Sequence, residues 1–185
     1  HTAFPQSIDN PVHRLAPFLV ELVNTHWDDG DDDFPPSHCQ VSNFASGTGA
    51  ENVTPGHADL MFNFRNSPRS SSAELKQRVE EMLMRHEITD CELQWRISGE
   101  PFRSKAGALR TAMAAAITQH LQIEPEMNTG GGTSDGRFFA PLGAEVVEFG
   151  LLNQSIHKVN ENTAVADLSR LADIYTTVLD SLLSK

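Results

Sequence analysis

The sequence predicts an α+β chain in two parts, residues 1–103 and 104–185, and three observations carry the prediction. Residues 58–65, ADLMFNFR, alternate with period two. Leu60, Phe62 and Phe64 share one face, and Met61, Asn63 and Arg65 the other, the pattern of a half-buried strand. Residues 73–86 instead place Leu75, Val79, Met82 and Leu83 at helical spacing. Near residue 103 the pattern changes. An Ala-rich helix, a glycine-rich turn, a short apolar run and a last amphipathic helix follow.

Residues 1–10 read as a loop limited by Pro5. Asn10-Pro11 fits an N-cap followed by proline at the first helical position. The helix it opens runs to about residue 27, with Leu15, Leu19, Leu22 and Val23 as its apolar stripe. DDGDDDFPP at residues 28–36 ends it. Its aspartates lack the alternation and terminal Glu of a calcium loop, so they read as a solvated acidic turn. Residues 38–45 form a strand, 47–56 a turn containing Asn52, and 58–65 the next strand. Ser71 or Ser72 caps the following helix, and residues 91–97 give a further strand ending at Ser98-Gly99. The order is helix, strand, strand, helix, strand. With one more strand upstream of His1 it would be the split βαβ arrangement of a ferredoxin-like domain, an antiparallel sheet with two helices. In the second part a helix is expected over 105–121, strands over 126–129 and 144–150, and a helix over 164–183.

Composition excludes some function classes. A formal net charge of −11 opposes a nucleic-acid surface, which needs clustered Lys and Arg. No apolar run approaches a membrane span. Cys39 and Cys91 are far apart and read as two free thiols of a reducing cytosol. The chain opens on HTAFPQ, with neither an initiator Met nor a secretory signal, and is read as the C-terminal part of a longer protein.

Residues 130–167 concentrate the chemistry. Three glycines allow close backbone approach and lead into Thr133, Ser134, Asp135 and Arg137, a sequence suited to a helix start that favours an anion. The apolar run AEVVEFG follows, and beyond its end lie Asn153, Ser155 and His157. Polar residues after a buried strand of an α/β fold commonly meet ligands. Each feature alone has a bland reading: a glycine-rich turn is usually only a turn, and a lone His is usually structural. His13, His26, His38, His57, His86 and His120 are read as structural or solvated.

Together, GGTSDGRF, the apolar run and N-x-x-x-HKVNE resemble the C-terminal catalytic motif of the dizinc amidohydrolase and peptidase family, in its desuccinylase branch. The resemblance extends back through GEPF at 99–102, FNFR at 62–65, GTGAENVTPG at 47–56 and NPVHRLAP at 10–17, and so covers the whole chain. It implies a lid and dimerisation domain over residues 1–103, its first strand lying upstream, and the C-terminal α/β part of a zinc-peptidase-like catalytic domain over 104–185. It also implies a homodimer through the lid. The implied reaction is metal-assisted hydrolysis of N-succinyl-LL-2,6-diaminopimelate to succinate and LL-2,6-diaminopimelate, in lysine biosynthesis.

By the same resemblance His157 ligates one of two bridged zinc ions, and Thr133 and Asn153 contact substrate beside them. Asn52, Arg65, Ser98 and Gly99 hold substrate carboxylates. His1 reaches the partner's active site and polarises the scissile carbonyl. Phe4 stands where relatives commonly carry Tyr, so that hydroxyl is lost. The family's other ligands lie on an H-x-D motif, a separate Asp and a Glu-Glu pair whose first Glu is the general base. Here the only Glu-Glu, Glu80-Glu81, falls on the amphipathic helix, so the remaining ligands and the base are expected outside this chain, which alone would be inactive. Two alternatives stay open: a dimerisation module without chemistry, and a deacylase or aminoacylase for another acyl group.

Overall fold

A computed structural model describes residues 1–132, 134–152 and 154–184. The chain divides into two compact units, His1–Pro101 and Phe102–Lys185.

In the first unit a 3-10 turn, Pro5–Ser7, precedes helix α1, Pro11–Asn24. The Asn10 side chain accepts a hydrogen bond from Val12 N–H, and Pro11 fills the first position, where a missing N–H costs nothing. Strands β1, His38–Ser46, and β2, Ala58–Arg65, form an antiparallel ladder running from His38 opposite Arg65 to Ser46 opposite Ala58. The register slips between Val41 and Asn43, a bulge in β1. Helix α2, Ser72–Arg85, opens on a full capping box between Ser71 and Glu74, so Ser71 rather than Ser72 is the cap. Phe18 and Leu22 of α1 and Leu75, Val79 and Met82 of α2 build the core. Leu60, Phe62 and Phe64 pack against it, the face that the alternation in β2 assigns inward.

The expected strand at 91–97 is not formed among the described residues. Its side-chain alternation is still there, because Leu93 and Trp95 turn inward and Trp95 lies beside Phe62 and Phe64. Alternation reports which side chains face the core. A strand needs a backbone ladder as well, and the sheet here has two strands, β1 and β2.

The acidic turn also differs from the solvated reading. Asp28 is half-buried, and its Oδ1 accepts from Gly30 N–H at 2.8 Å, Ser37 N–H at 2.9 Å and the Ser67 hydroxyl at 3.0 Å. Gly30 has φ +67, and a Cβ there would lie 2.3 Å from the Phe34 carbonyl oxygen, so this turn requires glycine.

In the second unit α3, Ala108–Leu121, packs on the last helix, α5, Val165–Leu183. Ala112, Met113, Ala116 and Ile117 meet Ile174 and Val178 in its core. Between them come α4, Gly136–Phe139, and a 3-10 turn, Ala140–Leu142. The strands expected at 126–129 and 144–150 are not formed among the described residues. Val147 and Phe149 nevertheless pack against the helical core, so the apolar run is used without a ladder. Gly107, the α3 N-cap, has no side chain to cap with. Glu145 supplies the cap from afar, accepting from Leu109 N–H at 3.0 Å and Arg110 N–H at 2.9 Å.

Candidate functional site

In the first unit the structure brings two of the expected site residues together. His1 stands at the chain start and Asn52 in the turn joining β1 to β2. Thr2 N–H donates to the Asn52 carbonyl at 3.0 Å, and the Asn52 side-chain amide lies 3.2 Å from His1 Nε2. Ala3 N–H donates to His1 Nδ1 at 3.1 Å. Phe4 contributes an edge-on ring contact to His1 at 5.9 Å, which a phenylalanine makes without the hydroxyl of a tyrosine. His1 and Asn52 are both exposed.

Arg65 is exposed and closes β2 at the end away from that turn. Eight strand residues separate the two ends of β2 by roughly 25 Å at the ordinary strand rise. Within one chain, therefore, Arg65 is not gathered with His1 and Asn52. Ser98 and Gly99 are exposed and belong to no helix or strand.

The second unit presents His157 on the loop before α5. Its backbone is left-handed, with φ +59, and its N–H donates to the Glu161 carboxylate at 3.2 Å. Ser155 clasps the same loop, donating to the Asn162 carbonyl at 2.7 Å and accepting from Asn162 N–H at 3.1 Å. The motif residue Glu161 thus holds the backbone that presents His157, a role its place four residues on could have suggested. Thr133 and Asn153 lie outside the described residues. The helix start expected after the glycines is only the four-residue α4, too short for a terminal field of much strength. Ser134 donates to Glu148 and accepts from Gly136 N–H at 3.0 Å, which ties the glycine-rich turn to the apolar run.

A dizinc site needs several converging ligands, and the donor set fails that test. Among the described residues no group of three or more His, Cys, Asp and Glu side chains could hold a metal ion. Against the expectation that the H-x-D motif lies outside this chain, two such tripeptides occur, at His26–Asp28 and His57–Asp59. Neither forms such a group: His26 pairs with Asp29 at 2.9 Å, Asp28 is taken up by its serine contacts, and His57 and Asp59 stand 3.6 Å apart on the exposed start of β2. His86 is bound to Glu21, and His120 Nε2 lies 2.7 Å from the Thr177 hydroxyl across α3 and α5, both in keeping with structural roles. Cys39 is buried and Cys91 exposed, and neither forms a disulfide. Burial pushes the Cys39 thiol up to about 11. No helix of the described residues is long and apolar enough to cross a membrane.

Known proteins match the chain along its length. Residues 1–91 match the family model described as a peptidase dimerisation domain. Succinyl-diaminopimelate desuccinylase of Halorhodospira halophila is 51% identical over 184 residues, 100% of this chain and 48% of that protein. The desuccinylase of Methylococcus capsulatus is 50% identical over 184 residues, with the same coverage. That of Thioalkalivibrio sulfidiphilus is 49% identical over 183 residues, 99% of this chain and 48% of the relative. The chain therefore spans about half the length of the curated relatives it matches. Among solved structures, an M20 family metallo-carboxypeptidase from Sulfolobus solfataricus superposes with a TM-score of 0.78 at 16% identity, over 99% of this chain and 55% of that one. The aminopeptidase PepT from Bacillus cereus gives 0.61 at 16% identity, over 98% and 48%. These two likenesses bear on the fold alone.

Proposed function

We propose that this chain, which belongs to the metallopeptidase-like hydrolase family of the succinyl-diaminopimelate desuccinylases, supplies the dimerisation unit and the C-terminal part of the catalytic unit of such an enzyme. The observation that carries this reading is identity near 50% to desuccinylases over 183 to 184 residues of the chain. The intact protein would hydrolyse the amide of N-succinyl-LL-2,6-diaminopimelate to succinate and LL-2,6-diaminopimelate, in lysine biosynthesis in the cytoplasm. Two zinc ions would serve the reaction. Because the described residues offer no ligand cluster, this chain would contribute His157 only.

The chain's own residues would bind and orient substrate. Arg65 suits a carboxylate, since a guanidinium fork gives paired charge-assisted hydrogen bonds. Asn52, Ser98, Gly99, Thr133 and Asn153 would complete the contacts to the succinyl and diaminopimelate groups. The exposed His1 would donate a hydrogen bond to the carbonyl oxygen as negative charge develops there. Arg65 and His1 belong to opposite ends of one hairpin, so a single substrate would meet Arg65 of one protomer and His1 of its partner in a homodimer.

An amide-hydrolysis assay with the purified chain, excess zinc and N-succinyl-diaminopimelate tests the reading. No turnover is expected from the chain alone. Turnover is expected once a separately produced N-terminal half of a matching desuccinylase is added. Hydrolysis by the chain alone would refute the division of ligands proposed here. Failure of every complementing half to restore activity, while the mixed halves form a stable complex, would refute the enzyme assignment.

A further inference from the structure

We propose that Asn52 is a positioning residue for His1, its side-chain carbonyl oxygen accepting the proton that His1 carries on Nε2. The inference rests on the reading of His1 as a carbonyl-polarising donor, and adds an action through His1 to the substrate contact proposed for Asn52.

A backbone N–H can only donate, and that of Ala3 points at His1 Nδ1 over 3.1 Å. Nδ1 therefore accepts, and the neutral ring carries its proton on Nε2. Nε2–H is then a donor, yet the Asn52 atom placed 3.2 Å from it is the amide nitrogen, Nδ2. Two N–H donors do not bond to each other. The oxygen and nitrogen of an asparagine amide exchange places by a half-turn, so the arrangement that satisfies both groups sets Asn52 Oδ1 against His1 Nε2–H. The Ala3 N–H has no such freedom and decides the tautomer. Asn52 also holds the adjoining backbone, because its carbonyl accepts from Thr2 N–H at 3.0 Å. The Phe4 ring, edge-on at 5.9 Å, bounds the imidazole further.

Four neighbouring groups thus orient a histidine that is otherwise exposed and at the end of a segment without regular structure. At rest the Nε2–H proton is shared with a neutral amide oxygen. An oxygen gaining negative charge is the stronger acceptor and takes the bond over. The ring then needs no change of tautomer to donate, and that is what preorganisation requires.

The test uses the 185-residue chain labelled with ¹⁵N at histidine, with His1→Gln assigning the His1 signals. Near pH 8.5, well above the ordinary histidine value of about 6.5, the ring is neutral and its tautomer can be read from the nitrogen shifts. The expected result is a protonated Nε2 whose proton exchanges slowly with water. Asn52→Ala, which keeps the backbone carbonyl, should abolish that protection. Asn52→Asp, which keeps an acceptor oxygen but cannot donate, should preserve it. A proton found on Nδ1, loss of protection in Asn52→Asp, or unchanged protection in Asn52→Ala would each overturn the proposal. In the complete enzyme Asn52→Ala should lower kcat about tenfold, less than the roughly hundredfold or greater loss on removing an oxyanion donor outright. An Asn52-dependent Nε2–H signal with unchanged turnover would retain the positioning contact and overturn the catalytic role given to His1.

Discussion

Asp28 sits where α1 gives way to the acidic turn, and its environment sets an acid limit for the first unit. Burial opposes its charge, but hydrogen bonds from Ser37, Gly30 and Ser67 outweigh that and hold the carboxyl well below the usual carboxylate range. A folded value below the unfolded one means stability that is present above the ordinary carboxylate pKa of about 4 and lost as pH falls toward the folded value. Asp28→Ala strands the Ser37 N–H and the buried Ser67 hydroxyl. It should cost about 2–3 kcal/mol at neutral pH, and the gap to the parent should narrow in urea titrations below about pH 4. Two histidines separate structure from chemistry in the same way. His120→Ala breaks the contact to Thr177 and should lower the melting temperature of the second unit without touching substrate. His157 is exposed and bonds only through its backbone N–H among the described contacts, so His157→Ala should leave melting unchanged. Under the proposed function it should abolish most activity of the complete enzyme, by several kcal/mol of lost metal assistance. Equal turnover for the two variants would remove His157 from the metal site.

At the scale of elements, α3 begins on a cap it does not carry. Glu145 sits at the positive end of the helix, and the Arg110 and Leu109 N–H groups hold its carboxyl below the usual range. Glu145→Ala should lower stability as the loss of an N-cap does. A Cβ on Gly107 would stand 2.4 Å from Glu145 Oε2, so Gly107→Ala should displace the same cap. The two substitutions should therefore be strongly non-additive in chemical denaturation, the double variant being little worse than either single one. Additive losses would show that Glu145 and Gly107 do not share one contact. The Ser71–Glu74 box at α2 differs in kind, because both of its partners lie within one turn.

For the whole molecule, assembly is the open quantity. The first unit ends in a sheet of two strands, and edges of that kind invite pairing with another chain. Together with the match of residues 1–91 to a peptidase dimerisation domain, this leads us to expect a homodimer. Light scattering on a sizing column should give twice the 20.3 kDa chain mass at tens of micromolar, and a clean monomer there would count against it. Under the proposed function such a dimer would also bring Arg65 of one protomer and His1 of its partner to one substrate, since the two lie toward opposite ends of β2.

Local chemistry made much of this legible before any fold was in hand. Asn10-Pro11 opens α1, Ser71 with Glu74 opens α2, and the alternation of Leu60, Phe62 and Phe64 assigns the buried face of β2, because caps and periodicity act over a few residues. The spaced motifs also marked the family. What the sequence could not decide depends on groups far apart along it. The apolar runs at 91–97 and 144–150 pack inward as their composition demands, yet a strand exists only where a neighbour supplies a ladder. Asp28 looked like one solvated aspartate among five, until Ser37 and Ser67 arrived from 9 and 39 residues away to bury and charge it. Glu145 caps α3 across 36 residues, and Asn52 meets His1 across 51. Tertiary structure decides such contacts, since only packing brings distant donors and acceptors within the 3 Å or so over which a hydrogen bond acts.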